Sequence, residues 1–148
     1  MKIKVVKPQY VDELPDDLEE GVFYICEAFD LTAHRCCCGC GENVFNKLNP
    51  AKWRLEKMSD GSVSLFPSVG NWKYACKSHY WIRENKVVDA GAMSAGAIAA
   101  VQERDRHDRD SYLAQVNARP IPDGATVWAR LRATIARVLS RIRLLWPW

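Results

Sequence analysis

The sequence has no long hydrophobic run. No uninterrupted apolar segment reaches the roughly 18 residues that a membrane-spanning helix needs, which argues against a transmembrane protein. The first residues, Met1-Lys2-Ile3-Lys4, do not have the apolar centre of a secretory signal peptide. Internal repeats and low-complexity segments are absent as well. We therefore expect a cytoplasmic protein, in which reduced, clustered cysteines favour metal binding or catalysis over disulfides.

Acidic residues are missing from the end of the chain, where five arginines and no acid follow Asp123. The rest of the sequence contains 16 basic and 18 acidic residues, which gives it a net charge of −2. A mildly acidic body argues against a nucleic-acid-binding surface along the whole chain. Only Arg35 and Lys47 flank the cysteine-rich segment closely, and Glu42 opposes them, so we predict no nucleic-acid partner there either.

The composition is that of one folded domain, since 148 residues include 48% hydrophobic and 26% charged residues. Short runs of branched and aromatic side chains between turn residues predict strands as far as residue 90. The predicted strands lie near residues 3–6, 22–26, 31–34, 43–46, 53–57, 62–66, 72–74, 80–83 and 87–89. Asp60-Gly61 and Asn85-Lys86 predict hairpin turns. The predicted fold class is α+β, a small β-rich domain followed by helices.

Four parts follow one another in the predicted domain organisation. Residues 1–92 are predicted to form a β-rich core, 93–117 a helix packed on or beside it, 118–125 a linker, and 126–148 a basic amphipathic helix. Ser94 is a good N-cap for the first helix. The last helix combines an apolar stripe with five arginines, so we expect it to contact an anionic membrane surface or an acidic protein. The alternative is that the stripe packs on the domain.

A cysteine cluster is the strongest local signal, because Cys36, Cys37, Cys38 and Cys40 place four thiols within five residues. Disulfides between such close neighbours have poor geometry. Thiolates are preferred zinc ligands, and small β-rich domains commonly hold zinc between a glycine-containing turn and a distant ligand. We therefore predict one structural Zn²⁺ per chain, with Cys76 as the ligand from the far side.

The spacing of the residues alone does not decide which four of them bind the zinc. The simplest set takes three cysteines from the cluster together with Cys76. Alternatively, His34 or His79 completes the four ligands. The spacing of Cys37 also fits a two-residue knuckle, whereas Cys26 follows an apolar strand pattern and is predicted to pack in the core.

A zinc ion bound by both the cysteine cluster and Cys76 would bring several polar side chains close together. A nucleophilic serine needs a base within hydrogen-bond reach. Ser78 and His79 are adjacent in an extended segment, so their side chains point to opposite faces and cannot easily pair. Two pairings remain: Ser68 with His79, which we favour slightly, or Ser78 with His34. In either case, Glu42 is predicted to orient the base.

The oxyanion of such a reaction also needs donors, and the Gly70 and Asn71 amides are candidates in the first pairing. Non-catalytic roles compete with this interpretation. Ser68 can cap a turn, while Ser78 or His79 can hydrogen-bond a zinc ligand.

Three segments resemble a known family, the small zinc-binding peptidases encoded in bacterial ubiquitination-like (Bub) operons. They are His34-Arg-Cys-Cys-Cys-Gly-Cys-Gly41, Val63-Ser-Leu-Phe-Pro-Ser-Val-Gly-Asn-Trp72 and Cys76-Lys-Ser-His-Tyr-Trp-Ile82, and the likeness covers about residues 1–90. The resemblance implies a serine deubiquitinase that releases a ubiquitin-like protein from conjugates or processes its C-terminus. It also implies E1-like and E2-like partner proteins and a role in antiphage defence. The metal positions it implies are Cys36, Cys38, Cys40 and Cys76.

Two rival functions are consistent with the same residues. In a metallopeptidase, zinc would keep an open position and activate water, with Glu42 as the base. In a non-catalytic zinc module, the domain would only bind the ubiquitin-like protein or an E2-like partner. Turnover of a conjugate separates the catalytic functions from the last one.

Overall fold

The computed structural model describes residues 1–118, 132, 133 and 135. Within them the fold class is α+β, as predicted, because two small β-sheets are followed by one long helix. The strands are β1 (Lys7–Tyr10), β2 (Val22–Cys26), β3 (Leu31–Arg35), β4 (Asn43–Lys47), β5 (Arg54–Lys57), β6 (Val63–Gly70), β7 (His79–Arg83) and β8 (Lys86–Asp89), and the helix is α1 (Ala95–Asn117). A short 3-10 helix, Glu27–Phe29, joins β2 to β3.

The chain divides into two units, Met1–Leu113 and Ala114–Trp148. The predicted linker at 118–125 and the predicted basic helix at 126–148 lie outside the described residues, apart from residue 118 and three helical positions at 132, 133 and 135. The predicted domain organisation therefore stays a prediction. In the part of the chain that the structure describes, no helix is both long and apolar enough to cross a membrane.

The first sheet has the strand order β1-β2-β3-β4, in which only the β1–β2 pair is parallel. Strand β2 is apolar along its whole length because both of its faces are covered. Phe23 and Ile25 join the main core, whereas Tyr24 packs with Leu18 and Ala33 on the opposite face. The acidic segment before β2 thus covers that face through Leu18.

The second sheet has the strand order β5-β6-β7-β8, with every pair antiparallel. The Asp60-Gly61 turn joins β5 to β6, as predicted. The next hairpin turns at Glu84 and Asn85, whose φ angles are 48° and 65°. The prediction of Asn85-Lys86 for this turn is therefore off by one residue, since β8 already begins at Lys86.

Two predicted strands are wrong. The one at residues 3–6 is reduced to an isolated bridge, and the first strand begins at Lys7. The one at residues 72–74 belongs to a turn in which Tyr74 N donates to Asn71 O at 3.0 Å. Aromatic side chains favoured a strand there, but the contacts of the turn override that propensity.

The main core lies between the two sheets and includes side chains from both. Its fully buried members are Phe23, Ile25, Val63, Leu65, Tyr80 and Ile82. Burying one such side chain contributes about 1.5–3 kcal/mol, so the central strands β6 and β7 are firmly held. Helix α1 begins after Ser94, whose Oγ accepts a hydrogen bond from Ala97 N at 3.2 Å, which confirms the predicted N-cap.

Candidate active site and metal centre

Strands β6 and β7 bring one serine and one histidine together. The pairing of β6 with β7 shifts register between Leu65 and Val69. Ser68 lies in this irregular stretch, directly after Pro67, whose preceding peptide bond is cis. A bulge bends its strand and redirects side chains, and here Ser68 Oγ lies 2.9 Å from His79 Nε2. The structure therefore forms the serine–histidine pair that the sequence favours.

The other ring nitrogen of His79 has a backbone partner. Its Nδ1 lies 3.2 Å from the carbonyl oxygen of Gly91. Because a carbonyl oxygen can only accept, Nδ1 carries a proton toward Gly91, and in the tautomer with Nδ1–H alone, Nε2 accepts from the Ser68 hydroxyl. In this tautomer the histidine can take the serine proton as a general base.

The prediction that Glu42 orients the base is wrong for His79, because Gly91 occupies that role. Glu42 is exposed and follows the cysteine turn. Its backbone carbonyl accepts a hydrogen bond from Cys36 N at 2.8 Å. The residue therefore helps to close the cysteine turn through its backbone.

An indole ring lies beside the His79 ring. The ring centroids of Trp72 and His79 are 5.0 Å apart. A Cβ atom added at Gly70 would lie 2.4 Å from Cε2 of the same indole. Only glycine leaves room for Trp72 at this place, so the close approach of the indole to the strand depends on Gly70.

The two backbone amides predicted as oxyanion donors differ in their hydrogen bonding in the structure. Asn71 N already donates to Ser78 O at 2.9 Å, so the prediction that this amide is free for an oxyanion is wrong. That bond makes the neighbouring Gly70–His79 pair a non-hydrogen-bonded one, in which the backbone groups point away from the partner strand. The Gly70 amide therefore stays a candidate donor.

Ser68 and His79 line a cavity of about 470 Å³, a volume within the range of ligand sites. Aromatic rings and the first turns of α1 form much of its wall. That wall includes Trp53, Trp72, Tyr74, Met93, Val101 and Arg104. A second cavity of about 950 Å³ shares Lys52, Trp53 and Pro67 with the first.

Four cysteine side chains meet at one point. The sulfur atoms of Cys36, Cys38, Cys40 and Cys76 all lie within 4.8 Å of one another. Zinc holds thiolates at about 2.3 Å in a tetrahedron, which separates the sulfur atoms by about 3.8 Å. The size and the chemistry of this cluster therefore fit a metal ion such as zinc. Because these four residues complete a tetrahedral set, neither of the alternative histidine ligands is needed.

Ser78 and Asn71 supply polar contacts to these thiols. Ser78 Oγ lies 3.1 Å from Cys36 Sγ and 3.5 Å from Cys76 Sγ. Asn71 Nδ2 donates to Ser78 Oγ at 2.9 Å and approaches Cys36 Sγ at 3.3 Å. Burial tends to raise the pKa of Cys76, but hydrogen bonds from Ser78 and from neighbouring thiols outweigh it and lower the pKa to about 7. Such donors favour the thiolate that a metal requires.

His34 is a buried core residue and does not pair with Ser78. Its Nε2 lies 2.8 Å from Tyr80 Oη, and desolvation lowers the pKa of the ring to about 3. The ring is therefore neutral near pH 7. Since Ser78 contacts thiols and an amide instead, the second predicted pairing is not formed.

The two remaining cysteines, Cys37 and Cys26, do not belong to the group of four whose sulfur atoms lie within 4.8 Å of one another. Cys37 is buried in the main core, and burial raises the pKa of its thiol to about 12. Cys26 is buried as predicted, with its thiol 3.1 Å from the Asp12 carbonyl.

Sequence reasoning missed the Gly91 carbonyl and the side chains of Trp72 and Asn71. A backbone carbonyl leaves no residue-type signal, so its role could not be predicted. The spacing Asp89-Ala90-Gly91 is nevertheless typical of a turn that an aspartate closes, which indicates an ordered loop at this position.

A serine hydrogen-bonded to a histidine in an open cleft is typical of serine hydrolases. The family described as bacterial ubiquitination-like system serine protease (BubE) matches residues 10–90, more than half of the chain. The chain belongs to this family, which confirms the resemblance seen in the sequence. The matched range contains Ser68, His79 and all four clustered cysteines. No curated protein and no solved structure matches the chain.

Proposed function

We propose that this protein hydrolyses the bond between the C-terminus of a bacterial ubiquitin-like protein and its target, in the cytoplasm, with Ser68 as the nucleophile. The observation that carries this proposal is the Ser68–His79 contact of 2.9 Å, with the second ring nitrogen held by Gly91. The family supplies the context of a serine protease in a ubiquitination-like system. Deubiquitinase-like specificity is our own inference from the Ser68–His79 contact and the family taken together.

The reaction begins when Ser68 Oγ attacks the carbonyl carbon of the scissile bond. His79 Nε2 takes the hydroxyl proton, and the Gly91 carbonyl faces the Nδ1–H of the imidazolium that forms. His79 then gives the proton to the leaving amine, which leaves an acyl ester on Ser68. Water hydrolyses this ester with His79 again as base, and the ubiquitin-like protein departs with a free carboxylate.

The tetrahedral intermediate carries a negative oxygen that needs donors. The Gly70 amide, which points away from β7, is the donor that the strand geometry supports best. Trp72 limits the space on one side of His79, so the substrate is expected to reach the pair as an extended segment in the 470 Å³ cavity.

The proposed role of the cysteines is structural. Zinc, when bound, would tie the turn after β3 to the turn before β7 and would supply folding energy. Four cysteine thiolates fill the tetrahedral set of a structural site and leave no open position at which zinc could activate a water molecule. The geometry therefore favours the serine mechanism over the metallopeptidase.

The test uses conjugates made with the ubiquitin-like protein and its E1-like and E2-like partner enzymes. Wild-type protein should release the ubiquitin-like protein with an intact carboxylate C-terminus, which mass spectrometry identifies. Ser68→Ala should lower turnover by at least about a thousandfold while keeping its zinc. The matched control is Ser59→Ala, because Ser59 is exposed in the β5–β6 turn, away from the cavity.

Two results would contradict this function. Zinc-loaded Ser68→Ala with the turnover of the Ser59→Ala control would remove the serine mechanism. Tight binding of conjugates by the wild type without any cleavage would support the non-catalytic zinc module instead.

A further inference from the structure

The loop between β8 and α1 contacts His79 twice. The Gly91 carbonyl accepts from Nδ1 of the ring at 3.2 Å, and Ala90 N donates to the backbone carbonyl of His79 at 3.0 Å. The position of the ring therefore depends on a short stretch of backbone whose own conformation must be fixed by something else.

Asp89 fixes that stretch. Its Oδ1 accepts a hydrogen bond from Gly91 N at 2.9 Å, which closes a tight turn over Ala90. Gly91 has a φ of 79°, a conformation that glycine adopts without strain. Asp89 is the last residue of β8 and pairs with Tyr80, so the turn starts from a strand position next to His79.

We propose that Asp89 is a positioning residue for the base His79 and acts through this turn. The carboxylate orders Gly91 N, the Gly91 carbonyl orders Nδ1 of His79, and Nε2 then faces Ser68. The carboxylate does not touch the imidazole, so a backbone carbonyl takes the place that a side-chain acid has in a serine–histidine–acid triad. This inference rests on the proposed role of His79 as the base.

The acceptor oxygen and the charge of Asp89 can be tested separately. Asp89→Asn keeps an oxygen for Gly91 N and removes the charge, including the ion pair of 3.6 Å between Asp89 Oδ2 and the amino group of Met1. Asp89→Ala removes the acceptor as well. If Asp89 acts by closing the turn, Asp89→Asn should keep the kcat and the His79 ring position that Asp89→Ala loses.

A matched control exists in the β5–β6 hairpin of the same sheet. Asp60 Oδ1 accepts from Ser62 N at 2.9 Å, which is the same type of turn at the same distance. Asp60 is exposed, as Asp89 is. Asp60→Ala therefore removes an equivalent turn contact without touching His79.

The experiment measures kcat and KM on conjugates and, in parallel, the ¹⁵N and Nδ1–H NMR signals of His79 in the full-length, zinc-loaded protein. Asp89→Ala should lower kcat by roughly tenfold with little change in KM, and the Nδ1–H signal should broaden or disappear. Asp89→Asn should stay within about twofold of the wild type in kcat and keep the signal. Asp60→Ala should change neither quantity.

Any of the following results would overturn the proposed role of Asp89. An unchanged Nδ1–H signal in Asp89→Ala would show that the turn does not position the ring. Equal losses in Asp89→Asn and Asp89→Ala would assign the effect to charge, and equal losses in Asp60→Ala would assign it to general stability. Failure of the proposed function is distinguishable, because it would show as no cleavage by the wild type or as wild-type turnover in His79→Ala, whatever the NMR signal of Asp89→Ala shows.

Discussion

Ser78 and His79 are neighbours on the chain, yet they contact different sites. Ser78 Oγ lies 3.1 Å from Cys36 Sγ in the cysteine cluster, whereas His79 Nε2 lies 2.9 Å from Ser68 Oγ in the cleft. Successive side chains of an extended segment point to opposite faces, so Ser78, directly before β7, and His79, its first residue, contribute to different sites. A metal held by the cysteines would thereby steady the backbone that carries His79.

The first prediction concerns Ser78→Ala. Because Ser78 Oγ contacts Cys36 and Cys76, its loss should weaken zinc binding by about 10–100-fold, measured by competition with a chromophoric chelator. Turnover of the zinc-loaded variant should fall far less than in Ser68→Ala, since Ser78 does not contact Ser68. A loss as large as that of Ser68→Ala would return Ser78 to the catalytic pair.

The second prediction concerns the metal. Purified protein should contain about one zinc per chain, and chelation should unfold it, because four thiolates couple metal binding to folding. Cys38→Ser and Cys76→Ser should lose zinc by elemental analysis. Cys37→Ser should keep it, because Cys37 lies in the core and outside the cluster. Equal zinc loss in all three variants would contradict the ligand assignment.

The third prediction concerns Gly70. Gly70→Ala places a methyl group 2.4 Å from the Trp72 indole, so it should lower the free energy of unfolding by about 1–3 kcal/mol and reduce turnover by displacing the ring from His79. Adding Trp72→Ala should recover the stability and leave turnover low. The control is Gly96→Ala in α1, where no atom lies within 4 Å of the new methyl group. Wild-type stability and turnover in Gly70→Ala would contradict the proposed close contact.

The fourth prediction concerns the basic segment after Gly124, whose effect is predicted from sequence alone. Truncation there should leave a folded, zinc-bound protein that cleaves soluble conjugates but no longer binds anionic vesicles. Binding by the full chain should weaken as salt rises, because exposed charges are screened within about 10 Å at 0.1 M. Neutral vesicles are the control. Unfolding on truncation would instead assign the segment to the packed domain.

The cysteine cluster and the pairing of Ser68 with His79 could be anticipated from the sequence for clear physical reasons. Four thiols within five residues have few uses other than metal binding in a reduced compartment. Strand alternation places Ser78 and His79 on opposite faces wherever their segment lies in the fold. Both arguments depend on local spacing, which the sequence records directly.

Other parts of the site depend on long-range geometry. The register shift in β6 decides where Ser68 points, and it follows from how that strand pairs with β7. The Gly91 carbonyl has no side chain to mark it, and Glu42 was preferred only because a carboxylate is the usual partner. His34 looked like a base, but burial beside Tyr80 makes it a neutral core residue.

The most direct test of the central claim is the site of covalent labelling by a fluorophosphonate, which reacts with activated serines. The probe is incubated with the zinc-loaded full-length protein, and tandem mass spectrometry locates the adduct. We predict labelling of Ser68 and a rate at least about a hundredfold lower in His79→Ala. His107→Ala is the control, since that side chain is 79% exposed on α1. An adduct on Ser78, or equal labelling rates in the wild type and His79→Ala, would contradict the account.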